Sequence, residues 1–393
     1  MKTLVIPGSV TKIEKDAYRN CSDFESVVIP DSVKEIGNGA FQGCISLKSV
    51  IIPNSVEEIG EGAFYGCCNL KSIHVDKKNK VFDSRCDCNA IIQTETNTLI
   101  VGCVSTIIPD SVAEIGDYAF SRDFGYFYGG SDIKTVVIPN SVSKIGKYAF
   151  CCCNNIESIV IPDSVIEIGD NAFNSCSNLE SIVIPDSVTK VGDGTFEECS
   201  NLRTVVIPDS VTEIGENAFK KCSNLKYVFI PDSVLKIGIR AFEECSSLKS
   251  IVISNSVEGT GYEAFKNCVS LEFVVIPESV KKITYHSFDG CSGLKSVVIP
   301  NSLTEIGWGA FSNCTSLRSV VIPDSVTEIG GDAFSNCSSL KSVVIPDSVT
   351  RIGKEAFKDC SGLESIIIPL SAKAEGDVLK GCKNLKFFTF LIQ

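Results

Sequence analysis

Cysteine is the residue type in this chain with the most chemistry to offer. The 393 residues include 20 cysteines but only 2 histidines and 1 tryptophan. Thiolates attack electrophiles and bind soft metals, so their spacing decides what they can do. Cys86-Asp87-Cys88 could ligate a metal, or pair with Cys103. No second CxxC and no nearby histidine completes a zinc set, so no metal is expected. Most other cysteines recur at one step, as Cys21, Cys44 and Cys67, then from Cys153 and Cys176 through Cys222 and Cys245 to Cys360 and Cys382. Adjacent turns of a stacked chain hold such residues about 4.8 Å apart with parallel side chains. A disulfide needs Cβ atoms about 3.8 Å apart and converging. The ladder therefore reads as buried thiols packing as small hydrophobes. So many free thiols suit a reducing compartment.

The remaining reactive types offer less. Asp163, Asp186, Asp209 and Asp232 form a row that could attract Ca²⁺, but repeated Asx turns explain it more simply. His74 and His286 stand far apart, and no Ser-His-Asp set, HExxH or phosphate loop is present. Neither catalysis nor a cofactor is expected. Aromatic residues are the better candidates for contact. Tyr227, Phe229 and Phe273 interrupt strands that otherwise carry Ser or Thr and Val or Ile at these places. Phe124, Tyr126, Phe127 and Tyr128 crowd a glycine-rich segment, 121–132, expected to project and to offer contact area.

These residues are positioned by a repeat. Proline recurs at 7, 30 and 53, at 139 to 231, and at 277 to 369 in steps of 23, with Ser254 in one slot and Pro109 after an irregular gap. A fixed period in this range means stacked turns. The unit Leu202–Cys222 shows what one turn does. Val205 and Ile207 point one way along a strand, Thr204 and Val206 the other. Pro208 ends the strand because it cannot donate to a ladder. Asp209 and Ser210 suit a corner, their side-chain oxygens accepting from the backbone two residues on. Val211 and Ile214 turn inward, Gly215 permits the next corner, and Ala218-Phe219 open a short helical or 3₁₀ turn. One such turn has no second face to bury against. Stacking supplies it.

The pattern CxxLxxVxIPxSVxxIGxxAF resembles the bacterial surface-antigen type of leucine-rich repeat, the BspA-like or Treponema-type repeat. The resemblance spans essentially all 393 residues, about 16 units. It implies a right-handed, curved solenoid with a parallel β-sheet on the concave face and short strands and 3₁₀ turns on the convex side. It also implies binding of proteins at cell surfaces: host, matrix or neighbouring-cell proteins. An intracellular interaction scaffold and a glycan-binding surface protein are the alternatives.

Net charge is −12, from 36 basic and 48 acidic residues. That argues against nucleic acid and anionic membrane surfaces. No run of 18 apolar residues exists, so no membrane insertion is expected. The N-terminus enters the repeat directly and shows no apolar h-region, which fits either a cytoplasmic protein or a piece of a longer one. Five residues after successive prolines stand Lys144, Glu167, Lys190, Glu213 and Lys236, an alternation that favours correct stacking register. Basic residues such as Lys48, Lys226, Lys249 and Lys295 precede the strands, predicting a basic edge opposite the aspartate edge.

Two stretches depart from the period. In 76–108, two strands around Glu95–Asn97 predict a β-hairpin. In 121–132, extra residues displace the ladder cysteine. The ends lack polar caps. Apolar Phe387, Phe388, Phe390, Leu391 and Ile392 leave three outcomes open: continuation of the chain, end-to-end self-association, or a tail folding over its own open core. The last is favoured in part, because the final unit is one residue short.

Overall fold

A computed structural model describes residues 2–122 and 133–391, with side chains through Phe387. The chain is a parallel-strand β-solenoid of about 16 turns. It divides into two compact units, Met1–Val188 and Thr189–Gln393. The segment bearing Phe124, Tyr126, Phe127 and Tyr128 lies outside the described residues.

In the first unit, strands Thr3–Val5, Ser26–Val28, Ser49–Ile52 and Ser72–Val75 pair parallel in that order. Leu4 lies opposite Val27, Val27 opposite Val50, and Val50 opposite Ile73, so each residue pairs with its own counterpart one repeat on. The middle residue of each strand points into the core and its two neighbours point out, the period-2 alternation of a half-buried strand. A second sheet of two-residue strands, Lys12–Ile13, Glu35–Ile36 and Glu58–Ile59, lines the other side. The series then breaks. Ala90–Gln93 and Thr98–Gly102 pair antiparallel, and Thr98–Gly102 pairs parallel with Glu114–Ile115, from which the repeat resumes. The extra residues of 76–108 thus fold as a hairpin that takes the place of a preceding short strand.

In the second unit, Tyr227–Phe229, Ser250–Val252, Phe273–Val275 and Ser296–Val298 form one four-stranded parallel sheet. The expectation that the tail folds over its own core does not hold. Phe387–Leu391 adds a parallel strand to Ser365–Pro369, with Phe387 opposite Ser365. That register is one residue less than the usual repeat, so the short last unit is absorbed by the turns and the strand stays in line.

Phenylalanine forms the spine of each unit. Phe219, Phe242 and Phe265 are fully buried and stack at centroid spacings of 5.3 and 5.6 Å with planes within 9°. Spacings wider than the strand separation mean slipped rather than face-to-face rings, the arrangement the ring quadrupole favours. Behind the rings lie the ladder cysteines, all with free thiols. Along most of the ladder Sγ donates to a phenylalanine carbonyl of the preceding turn, as Cys245 does to Phe219 O at 3.1 Å, Cys268 to Phe242 O at 3.2 Å and Cys360 to Phe334 O at 3.1 Å; Cys44 uses Tyr18 O instead. Burial pushes the Cys268 thiol well above the usual range, and Cys360 up to about 12. They are poor nucleophiles for that reason.

The turns carrying the rings close with i→i+3 hydrogen bonds, as a 3₁₀ turn does, but do not propagate as a helix. Asn217 and Lys221 sit at φ 54° and 58°, in the left-handed region. These residues re-aim alternate amides. Lys220 and Cys222 donate back within the turn, while Asn217, Phe219 and Lys221 donate onward to Ile239, Ala241 and Glu243. The backbone on this side is therefore satisfied by the neighbouring turn, as buried backbone must be.

The proline corners differ from expectation. They close by backbone alone, Val165 N–H to Pro162 O at 3.0 Å and Val211 N–H to Pro208 O at 3.1 Å. At several corners the serine reaches across to the preceding turn as a donor, Ser164 to Val142 O at 2.7 Å and Ser348 to Val326 O at 2.8 Å. A stack offers a nearer acceptor than a free chain does.

Candidate binding surface

The outward residues of the broad sheet are what the stack presents. Across most strands they are small or β-branched. On two strands of the second unit they change. Tyr227 is 60 % exposed, Phe229 62 % and Phe273 45 %, while Val228 and Val274 between them are buried. Tyr227 lies beside Ser250, which lies beside Phe273, and Phe229 lies beside Val252. Two strand spacings put the backbones of Tyr227 and Phe273 about 10 Å apart. Ser250 forms the floor of the notch between them. Val252, Val275 and Val298, all exposed, extend the apolar area. Sheet backbone holds every one of these side chains, so little conformational entropy remains to be lost on contact.

The charged surroundings are mixed. The row expected to be basic contains Glu25, Glu272 and Glu364, and these neutralise their neighbours. Lys48 approaches Glu25 at 3.0 Å, Lys295 approaches Glu272 at 2.7 Å, and Lys386 approaches Glu364 at 3.2 Å. The hydrogen bond from Lys295 holds the Glu272 carboxyl below its ordinary value. The predicted uniform basic edge is thus a string of ion pairs. Beside the aromatic group, Lys226 and Lys249 have no ion pair among the described residues. At the other end of these strands Ser254, in the proline slot, donates to Asp232 at 2.6 Å. The alternating charges on the short strands do meet, Lys144 with Glu167 at 3.0 Å, and Glu213 with both Lys190 at 3.6 Å and Lys236 at 3.1 Å.

A second aromatic row was not recognised in the sequence. Tyr262, Tyr285 and Trp308 are exposed on the turns that follow the short strands. Tyr262 and Tyr285 meet edge to face at 5.3 Å. The signal that could have found them is their spacing, one repeat apart in three consecutive units.

The hairpin cysteines do not converge. Cys86 is exposed at φ 58°, Cys88 is buried and pushed up to about 11, and Cys103 contacts Asn89 O and Ser105 Oγ. Among the described residues no group of three or more His, Cys, Asp or Glu side chains could hold a metal ion. No helix among them is long and apolar enough to cross a membrane.

No curated protein matches the chain. Among solved structures, a leucine-rich repeat protein from Bacteroides ovatus ATCC 8483 is 29 % identical over 99 % of this chain and 92 % of its own, with a TM-score of 0.71. A leucine rich cell surface protein from Faecalibacterium prausnitzii A2-165 is also 29 % identical, over 100 % and 88 %, with a TM-score of 0.48. A leucine-rich repeat protein from Eubacterium ventriosum ATCC 27560 is 24 % identical over 67 % and 76 %, with a TM-score of 0.58. The sequence pattern of the BspA type leucine rich repeat region matches residues 1–123, 90–223, 167–295 and 287–393. With the whole length covered, the chain belongs to the BspA-type leucine-rich repeat family.

Proposed function

We propose that the protein is a non-enzymatic binding scaffold whose contact centre is the notch formed by Tyr227, Phe229, Ser250 and Phe273, and that it acts as an adhesin-like surface or secreted protein. The observation that carries the reading is the exposure of three large aromatic rings on the two strands that flank Ser250–Val252 in one sheet. Such anchors dominate protein interfaces. Lys226 and Lys249 at the edge favour a partner with carboxylates beside an apolar patch. The surface role follows from what the family resemblance implies. A photo-crosslinking residue at Ser250 tests it. Crosslinks to a protein partner should form from this position and be absent when the same group replaces Ser342 on another strand. Equal crosslinking from both refutes the notch.

A second reading rests on the other row. Tyr262, Tyr285 and Trp308 form an aromatic strip of the kind on which sugar rings stack. Trp308 is the sole tryptophan, so its emission reports directly. A shift on adding oligosaccharide supports glycan binding there, and a flat titration removes it.

A further inference from the structure

The hairpin leaves a flaw in the first unit. In regular turns, the amides at the positions of Asn217 and Phe219 donate to the next turn. After the third turn, the next turn is shifted by the strand Thr98–Gly102. The carbonyl that Phe64 would have reached, Ala119 O, accepts instead from Gly102 N–H at 2.7 Å. The amides of Gly62 and Phe64 find no acceptor among the described residues. The ring spine also stops here, with Phe64 stacked on Phe41 and Phe120 on Phe150. Between the two halves lies a cavity of about 320 Å³ lined by Gly62, Phe64, Gly102 and Arg122 among others.

Arg122 is the unusual member. It is 3 % exposed. Its backbone is held from both sides, N–H to Cys151 O at 2.8 Å and carbonyl from Cys68 Sγ at 3.3 Å. One guanidinium nitrogen, Nη1, donates to Cys67 O at 2.7 Å. The other two, Nε and Nη2, are buried without a partner among the described residues. A buried guanidinium left uncompensated is strongly destabilising, and buried unsatisfied donors call for an acceptor. Glu61, Glu114 and Asp117 line the cavity too; Glu61 and Asp117 are exposed, Glu114 is half-buried and faces the charge of Lys144, and Asp117 Oδ1 is engaged by Lys147 N–H at 2.7 Å.

We propose that this cavity is a binding site for a small oxyanion, held bidentately by Nε and Nη2 of Arg122 and by the amides of Gly62 and Phe64. The planar fork of arginine suits two oxygens of one anion. The exposed carboxylates repel larger polyanions, so the ligand is a single phosphate-sized or carboxylate group. The site couples ligand binding to the joint between the hairpin and the repeat, since the residues that hold the anion come from both sides of the break.

The test uses the full chain and inorganic phosphate, with sodium chloride at matched ionic strength as control. The thermal midpoint of the wild type should climb with the logarithm of phosphate concentration, as linkage requires of a native-state ligand. Arg122→Met should abolish the climb, and Arg122→Lys should lose most of it by keeping the charge without the fork. Should Arg122→Met fail to fold, backbone amide NMR of the wild type decides. Phosphate should shift the Gly62 and Phe64 resonances and leave those of the second unit in place. The proposal is overturned if phosphate does no more than chloride, if the arginine variant responds as the wild type does, or if the two amides stay still. Acetate in place of phosphate then separates carboxylate from phosphate ligands.

Discussion

Replacing Phe242 by alanine tests the ring spine. Phe242 is fully buried and stacked on both sides, at 5.3 Å from Phe219 and 5.6 Å from Phe265. Truncating a buried phenylalanine costs about 3–5 kcal/mol in lost transfer energy and cavity formation. Phe64 offers an internal comparison. It stacks on Phe41 at 5.3 Å but has no stacked ring on its other side among the described residues, where the cavity lies. One aromatic pair is worth about 0.5–1.5 kcal/mol beyond burial. Phe242→Ala should therefore cost more than Phe64→Ala by about 1 kcal/mol. Because stability in a stack is a sum over neighbours, the damage should also stay local. Long repeat arrays break two-state behaviour, so native-state hydrogen exchange is the right assay. Protection should fall in the turns carrying residues 219, 242 and 265 and recover beyond them. Equal costs at the two positions, or uniform loss of protection along the unit, would refute the reasoning.

Further outcomes are expected from the same packing. Burial raises the folded values of ladder thiols such as Cys222, Cys268, Cys314 and Cys360, the last to about 12. Above about pH 8.5 an unfolded thiol loses its proton while the native one keeps it, so stability is fully present below that value and falls as pH rises toward about 12. Thermal midpoints between neutral and alkaline pH measure this, and a flat profile contradicts it. A thiol reagent on the native protein should label the exposed Cys86 first, with the buried ladder thiols from Cys44 to Cys360 reacting only on unfolding and the half-buried end members Cys21 and Cys382 in between. Gly102→Ala would drive a Cβ into the ring of Phe120, which is pinned by stacking on Phe150. Overpacking of this kind costs about 1–3 kcal/mol, and urea titration of the variant reads it.

Much of this was legible because the sequence is periodic. A fixed step places like against like, so the pairings of Val27 with Val50 and Lys144 with Glu167 could be written down before any coordinates. The outward direction of Tyr227, Phe229 and Phe273 followed from strand alternation alone. What escaped depends on contacts that no step encodes. The left-handed positions are filled by Asn217, Lys221, Arg240 and Glu244, residues that carry no common signal for that conformation. The serine corners use acceptors on another turn. Arg122 sits in a stretch that reads as a surface loop, and only the shifted stack around the hairpin buries it. The tail was misjudged because apolar crowding predicts burial but not whether a strand pairs or folds back.

The central claim is that a notch on the broad sheet, not the repeat surface at large, makes the contact. The direct measurement is the affinity of the intact protein for its crosslinked partner, compared between wild type and the combined Tyr227→Ser, Phe229→Ser, Phe273→Ser variant. Val344→Ser, an exposed position on another strand, serves as control. Three hot-spot aromatics removed together should weaken binding by about a hundredfold or more, with an unchanged thermal midpoint and an unaffected control. Wild-type affinity in the combined variant, or equal loss in the control, would contradict the account.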